Sequence, residues 1–146
     1  MQIKTEKGEE RDFKIVDTPG EETDQNLLDE WICNSNCIIL VYAINEENSF
    51  EGLKEYYERI KQNKTEKISI ILVGNKSDLI KDNRNIFDLS EISEMLIQIP
   101  NSCYYQISCL NKSNFDELKK EIINLCFENE IYLEYNEGID RDGCVY

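Results

Sequence analysis

Residues 67–78 read KISIILVGNKSD. From Ile68 to Val73 the run is apolar except at Ser69, rich in β-branched residues, and far too short to cross a bilayer. A continuous apolar run of this length fits a strand covered on both faces, the usual situation in a parallel sheet. Gly74 closes the run and four polar residues follow, Asn75-Lys76-Ser77-Asp78, so the chain leaves the sheet abruptly there.

Upstream, Cys37–Ala43 (CIILVYA) has the same character and predicts a second strand covered on both sides. Between the two, Asn48 or Ser49 is placed to cap a helix whose stripe is Phe50, Leu53, Tyr57 and Ile60. Downstream, Asp88 with Glu91 makes a capping box before Ile92, Met95, Leu96 and Ile99. Residues 103–108 predict a third strand, and Ser113 or Asn114 then caps a helix burying Phe115, Leu118, Ile122 and Leu125. Near the start, residues 2–5 and 11–17 predict a hairpin about Gly8, and residues 22–34 a weak helix carrying Leu27, Leu28 and Trp31. Strand and helix alternate, so the expected class is α/β: a mostly parallel sheet with helices on both faces. One domain over residues 1–128 and an acidic tail over 129–146 are expected.

Sixteen Lys and Arg face thirty Asp and Glu, a net charge of −14. Such a surface repels nucleic acid and anionic lipid, and binding to either class is not expected. The chain has no histidine, which removes the commonest general base and zinc ligand. Its six cysteines include no C-x-x-C pair and are expected mostly as small buried apolar residues. The opening MQIKTEKGEERD is too polar for a secretory signal, so an intracellular, cytoplasmic protein is expected.

In parallel sheets ligands gather at the carboxyl ends of strands. Asp78 stands at such an end. An ionised carboxylate offers two acceptor oxygens and no donor, which matches the ring N–H and exocyclic amine of guanine. Adenine lacks that donor pair, and the mismatch costs several kcal/mol, on the order of 10⁴-fold. Asn75 would brace neighbouring loops, and the stem of Lys76 would lie along the base. A second strand end occurs in FKIVDTPGEE, residues 13–22. There Asp17 suits a cation held through water, and the Gly20 amide could approach a terminal phosphate. Either motif alone reads equally well as a polar turn.

Together, with VYAINEENSFEGL (41–53) between them, they resemble the Ras-type small GTPase family of the P-loop NTPase superfamily, from its second strand to its last helix. D-x-x-G stands as Asp17-Thr18-Pro19-Gly20, and N-K-x-D as Asn75-Lys76-Ser77-Asp78. The resemblance implies a Ras-like G domain acting as a GTP-binding molecular switch in signalling, a GTP hydrolase using GTP, GDP and Mg²⁺. Asn75, Lys76 and Asp78 would hold the base, Gly20 the phosphate and Asp17 the Mg²⁺ through water. The family's S-A-K element falls on Ser108-Cys109-Leu110, so its Lys is replaced and only backbone contact to the base is expected there. Effector, activating and exchange proteins are the implied partners.

The family's phosphate loop, G-x-x-x-x-G-K-[ST], does not occur in this sequence, nor do the first strand, the first helix and the switch threonine. The expectation is an incomplete chain with severely reduced nucleotide affinity, inactive on its own. The first strand's place, between the family's third and fourth strands, would be a slot roughly 9–10 Å wide with unpaired edges. Glu21 stands where the family often has a water-orienting Gln, and a carboxylate cannot donate that hydrogen bond, so hydrolysis should be slow. Cys144 is followed by two residues where a prenylation box needs three, and the tail before it is acidic, so membrane attachment is not expected unless that cysteine is lipidated. Two other readings stand beside this one. The first is a non-enzymatic interaction module that kept the fold without turnover. The second is a phosphoacceptor domain using Asp17, which leaves N-K-x-D without a role.

Overall fold

The computed structural model describes residues 2–4, 10–12, 14–18, 24–63, 68–80, 89–98 and 102–135. β1 (Gln2–Lys4) and β2 (Glu10–Asp12) pair antiparallel, with Gln2 opposite Asp12 and Lys4 opposite Glu10. Gly8 lies outside the described residues. The strand expected over residues 11–17 stops at Asp12: Lys14 to Thr18 are exposed and belong to no sheet. A strand persists only where its main-chain groups find a neighbour, and no described strand lies alongside these.

α1 (Gln25–Asn34) begins after Asp24, whose Oδ1 accepts from the amides of Asn26 at 3.0 Å and Leu27 at 3.3 Å. It buries Leu28 and Ile32, one turn apart, while Leu27 and Trp31 are half-buried. β3 (Cys37–Ala43) leads into α2 (Glu47–Asn63), which starts ahead of both expected caps. Ser49 does a different job: its Oγ accepts from the Ala43 amide at 3.0 Å and pins the helix to the strand end. All four residues of the expected α2 stripe are buried.

β4 (Ser69–Asn75) and β5 (Ser102–Gln106) complete a parallel sheet of order β3-β4-β5, with Ala43 level with Asn75 and Gly74 with Gln106. α3 (Leu89–Ile97) buries Ile92 and half-buries Met95 and Leu96; Asp88 and Ile99 lie outside the described residues, and Glu91 holds Lys54 at 2.7 Å. α4 (Phe115–Tyr135) buries Leu118 and Leu125 and half-buries Ile122. Phe115 is not in the core as expected: at the exposed start of the helix its ring carries the Lys119 ammonium at 5.9 Å.

Helices cover both faces, as the alternation implies. α1, α2 and α3 pack Leu28, Phe50, Leu53 and Ile92 against Leu40, Tyr42, Ile70 and Leu72. α4 packs Leu118 and Leu125 against Ile71, Val73 and Ile107. Central β4 is thereby buried from Ser69 to Gly74. β3 departs from expectation, because α4 covers Ile71 and Val73 but leaves Ile39 and Val41 exposed on the same face. No described helix is long and apolar enough to cross a membrane.

Gly74 is required by two tyrosines. Tyr42 and Tyr104 flank it and share a hydrogen bond between hydroxyls at 2.9 Å. A Cβ at Gly74 would lie 2.8 Å from Tyr104 Oη and 3.1 Å from Tyr42 Oη. Tyr42 is buried, and burial followed by the bond to Tyr104 raises its pKa, so it stays protonated. Gly74→Ala should destabilise the fold by about 1–3 kcal/mol, read by urea unfolding. Tyr104→Phe in the same chain should recover part of that loss by removing the nearest atom.

Among the described cysteines Cys33, Cys37, Cys103 and Cys126 are half-buried thiols outside any disulfide, whereas Cys109 is exposed, against expectation, because it sits in the loop after β5. A hydrogen bond with Cys126, then burial, raises the Cys37 pKa. Burial, then the charge of Glu121, pushes Cys103 up to about 11 from its ordinary 9.0. The folded state therefore favours the neutral Cys103 thiol. Its contribution is fully present below pH 9 and is lost as pH rises through about 11. Discounted for partial exposure, the loss is on the order of 1 kcal/mol. The gap in stability between wild type and Cys103→Ala should narrow by that amount between neutral and strongly alkaline pH.

Candidate functional site

Where β4 and β5 end, two turns lock together. The Asn75 carbonyl accepts from the Ile44 amide at 2.9 Å, and Ile107 N–H donates to the Gly74 carbonyl at 2.9 Å. Asn75 Oδ1 accepts from its neighbour's amide, Lys76, at 2.7 Å and from Cys109 across the gap at 3.2 Å. Ser77 N–H adds a third tie, to the Ile107 carbonyl at 3.0 Å. The side chain of Asn75 thus braces both loops, the role its position at a strand end suggests.

Lys76 adopts the left-handed conformation, φ 66°, which reverses the chain into a single 3₁₀ turn, Ser77–Leu79. Asp78 rides on that turn, exposed. Ser108 is fully buried, and its Oγ donates to Asp78 Oδ1. The carboxylate is therefore aimed by a fixed hydroxyl, while Oδ2 has no partner among the described residues. Ser108 Oγ in turn accepts from the Asn111 amide at 3.4 Å, and Ser108 N–H donates to the Ser113 carbonyl at 3.3 Å. The loop is closed by Asn111 Oδ1 accepting from the Ser113 amide at 3.0 Å and Asn114 Nδ2 donating to the Gln106 carbonyl at 2.8 Å. Lys112 and Asn114 take positive φ, 61° and 56°, and Asn does so more readily than most residues.

Five of the expected residues thus come together: Asn75, Lys76, Asp78, Ser108 and Cys109. One detail differs from expectation. The Cys109 N–H, expected to reach a ligand carbonyl, is engaged by Asn75. Asp17 is exposed and has no hydrogen-bond or ion-pair partner among the described residues; Gly20 and Glu21 lie outside them. Among the described residues no group of three or more metal-ligating side chains gathers. The Asp78 carboxylate suits a ligand with two adjacent donors.

Glu46 was not legible beforehand. It follows β3 by three residues and holds the Lys76 ammonium at 2.7 Å, with both groups largely exposed, so the pair is worth well under ~1 kcal/mol. Asn111 was missed too, although Asn residues spaced through a short polar loop signal local side-chain-to-backbone bonding. Asn45 Oδ1 is buried with no donor among the described residues, and nothing described explains it. A groove of about 340 Å³ between α1 and α2, lined by Leu28, Tyr56 and Arg59 among others, includes none of the five residues. It belongs to helix packing rather than to the strand ends.

A parallel α/β sheet whose adjacent strand ends carry an Asn-Lys-x-Asp turn braced against a serine loop defines a G domain of the small GTPase type. The chain belongs to the Ras family, whose family model matches residues 1–128. It is 27% identical to Ras-like protein rasU of Dictyostelium discoideum over 133 residues, 90% of this chain and 61% of that protein. It is 28% identical to the putative ras-related protein Rab-5B of the same organism, over 80% of this chain and 53% of that one. A third relative, Circularly permutated Ras protein 1 of D. discoideum, is 28% identical over 81% of this chain and 14% of its own length. The chain thus spans between half and two-thirds of the first two relatives.

Proposed function

We propose that this chain binds guanine nucleotides and serves as the base-recognising part of a Ras-type molecular switch in the cytoplasm. The observation that carries the reading is the Asp78 carboxylate, oriented through one oxygen by Ser108 and, among the described residues, open at the other. Guanine would donate its ring N–H and 2-amino group to that carboxylate, in the plane the serine fixes. The Lys76 stem would lie along the ring, and Asn75 would keep the two loops in register. Asp17 would serve Mg²⁺ through water, and Gly20 the terminal phosphate. The segment after Asp17 would then order when that phosphate is present and offer itself to effector and regulator proteins. Glu21 would make GTP hydrolysis slow without a helper protein.

Titration with GDP and GTP in the presence of Mg²⁺, challenged with ATP, tests this. Guanine nucleotides should bind and ATP should fail to displace them. A second reading is favoured by the Cys109 amide, which Asn75 engages in place of a base: an interaction module with the G-domain fold and no nucleotide. No guanine-nucleotide binding at ligand concentrations of about 1 mM (~4 kcal/mol of binding) would leave that reading standing and remove the first.

A further inference from the structure

α4 starts beside Gln106, where β5 ends, and runs back across the sheet, so its later turns lie over the ends at which the strands begin. On its inward stripe Cys126 follows Leu118 and Ile122 at one-turn intervals. The sheet face beneath carries Cys37, the first residue of β3, and Cys103 near the start of β5. Both pack against the core of Ile71, Leu118 and Leu125. The thiols of Cys37 and Cys126 meet there in a hydrogen bond, each half-buried and neither in a disulfide. Cys33 is occupied elsewhere, donating to the Asn63 carbonyl at 3.8 Å between α1 and α2. Two thiols in contact across a packed interface have no part in the base-binding turn, which lies at the opposite end of the strands.

We propose that Cys37 and Cys126 are a reversible redox pair, which hydrogen peroxide closes into a disulfide stapling α4 to the start of β3 and a thiol reductant reopens. The chemistry balances. One thiolate attacks a peroxide oxygen, the O–O bond breaks, and water leaves behind a sulfenic acid. The second thiol attacks that sulfur, the S–O bond breaks, the S–S bond forms, and a second water leaves. Two thiols lose two electrons in all, and the peroxide takes them. Contact between the thiols favours this course, because a sulfenic acid beside a thiol condenses before a second oxidant arrives. The bond to Cys126, then burial, and after them the charges of Cys126, Cys103 and Glu121, hold Cys37 protonated. Only a thiolate is an effective nucleophile. The pair therefore closes slowly at neutral pH and answers sustained rather than brief oxidation. The staple joins residues far apart in sequence, so the loop it closes is long and the folded chain gains stability.

The test is oxidation of the full chain with hydrogen peroxide, then blocking of the remaining thiols and peptide mapping without reductant. The expected result is a crosslink between Cys37 and Cys126 within one molecule, lighter by two hydrogens and lost on treatment with dithiothreitol. The oxidised chain should melt about 5–10 °C above the reduced one. Crosslinking should quicken about 10-fold per pH unit between roughly pH 7 and 9, as the thiolate fraction grows. Cys37→Ser and Cys126→Ser should each remove both the crosslink and the gain in melting temperature. Cys103→Ser should keep both, because Cys103 shares the face but not the hydrogen bond. Mapping of the wild type decides the matter even where a serine variant misfolds. Cys37 recovered in a bond to Cys103 or to a second molecule would overturn the proposal. So would both thiols recovered unreacted, or as sulfinic acids, after prolonged oxidation at pH 9, and so would a crosslinked chain that melts no higher than the reduced one. Neither cysteine belongs to the Asn75–Asp78 turn, so these measurements stand apart from the preceding reading.

Discussion

Asp78→Asn is expected to convert a preference for guanine into a preference for xanthine. Ser108 Oγ would still donate to the amide oxygen, as it now does to Oδ1, so the side chain would keep its direction. What changes is the outward atom, from an acceptor to an NH₂ donor. Against guanine that donor faces the 2-amino group, and two donors meet with no acceptor between them. Xanthine carries a carbonyl at the same position and completes the pair. Once the base covers this exposed side chain, a mismatch of this kind costs about 3–4 kcal/mol, or ~10²–10³-fold in affinity. Competition between GDP and XDP for wild type and variant measures it as a ratio, which holds even where absolute binding is weak. Asp78→Ala should lose GDP without gaining XDP. A variant that holds GDP as well as wild type would mean that Asp78 merely anchors the Ser108 loop, and the base-recognition reading would fail.

That prediction was available from residues 67–78 because the information is local. An apolar run buried on both faces announces itself by composition, and a strand that ends in Asn-Lys-Ser-Asp must place those side chains at the sheet's rim. The α2 stripe was legible for the same reason, since Phe50, Leu53, Tyr57 and Ile60 need only helical periodicity. Relations between segments were not. The Ser108–Asp78 bond joins residues thirty apart, and no spacing rule pairs a serine after one strand with a carboxylate after another. Glu46 is equally distant from Lys76. The chain's composition also overstated coverage: Ile39 and Val41 belong to a run that reads as doubly buried, yet burial depends on a neighbouring element the described residues do not contain. Lys14 to Asp17 failed as a strand for the same reason. Residue preference proposes a strand, and a partner ladder has to accept it.

Phe50→Ala should produce the largest loss of stability. The side chain is essentially fully buried at the junction of α2 and the sheet. Its ring meets Tyr42 edge-on, with centroids 5.1 Å apart and planes at 64°, and the Lys54 ammonium lies 5.2 Å from its centre. Truncation removes the transfer energy of the ring and leaves a cavity that Tyr42 cannot fill while its hydroxyl is tied to Tyr104. Losses of this type run to about 3–5 kcal/mol, a large part of the ~5–15 kcal/mol that holds a domain of this size. Phe50→Leu should cost far less, about 1–1.5 kcal/mol, by keeping most of the volume. The effect should reach the strand end. Tyr42 and Tyr104 close over Gly74, and Gly74 fixes where Asn75 begins its turn. Hydrogen exchange of the amides from Val73 to Asp78 should therefore quicken in Phe50→Ala at urea concentrations well below the unfolding midpoint. If those amides exchange at the wild-type rate while global stability drops, the tyrosine pair does not couple the core to the site. The braces from Asn75 and Ser108 would then hold the turn without help from beneath.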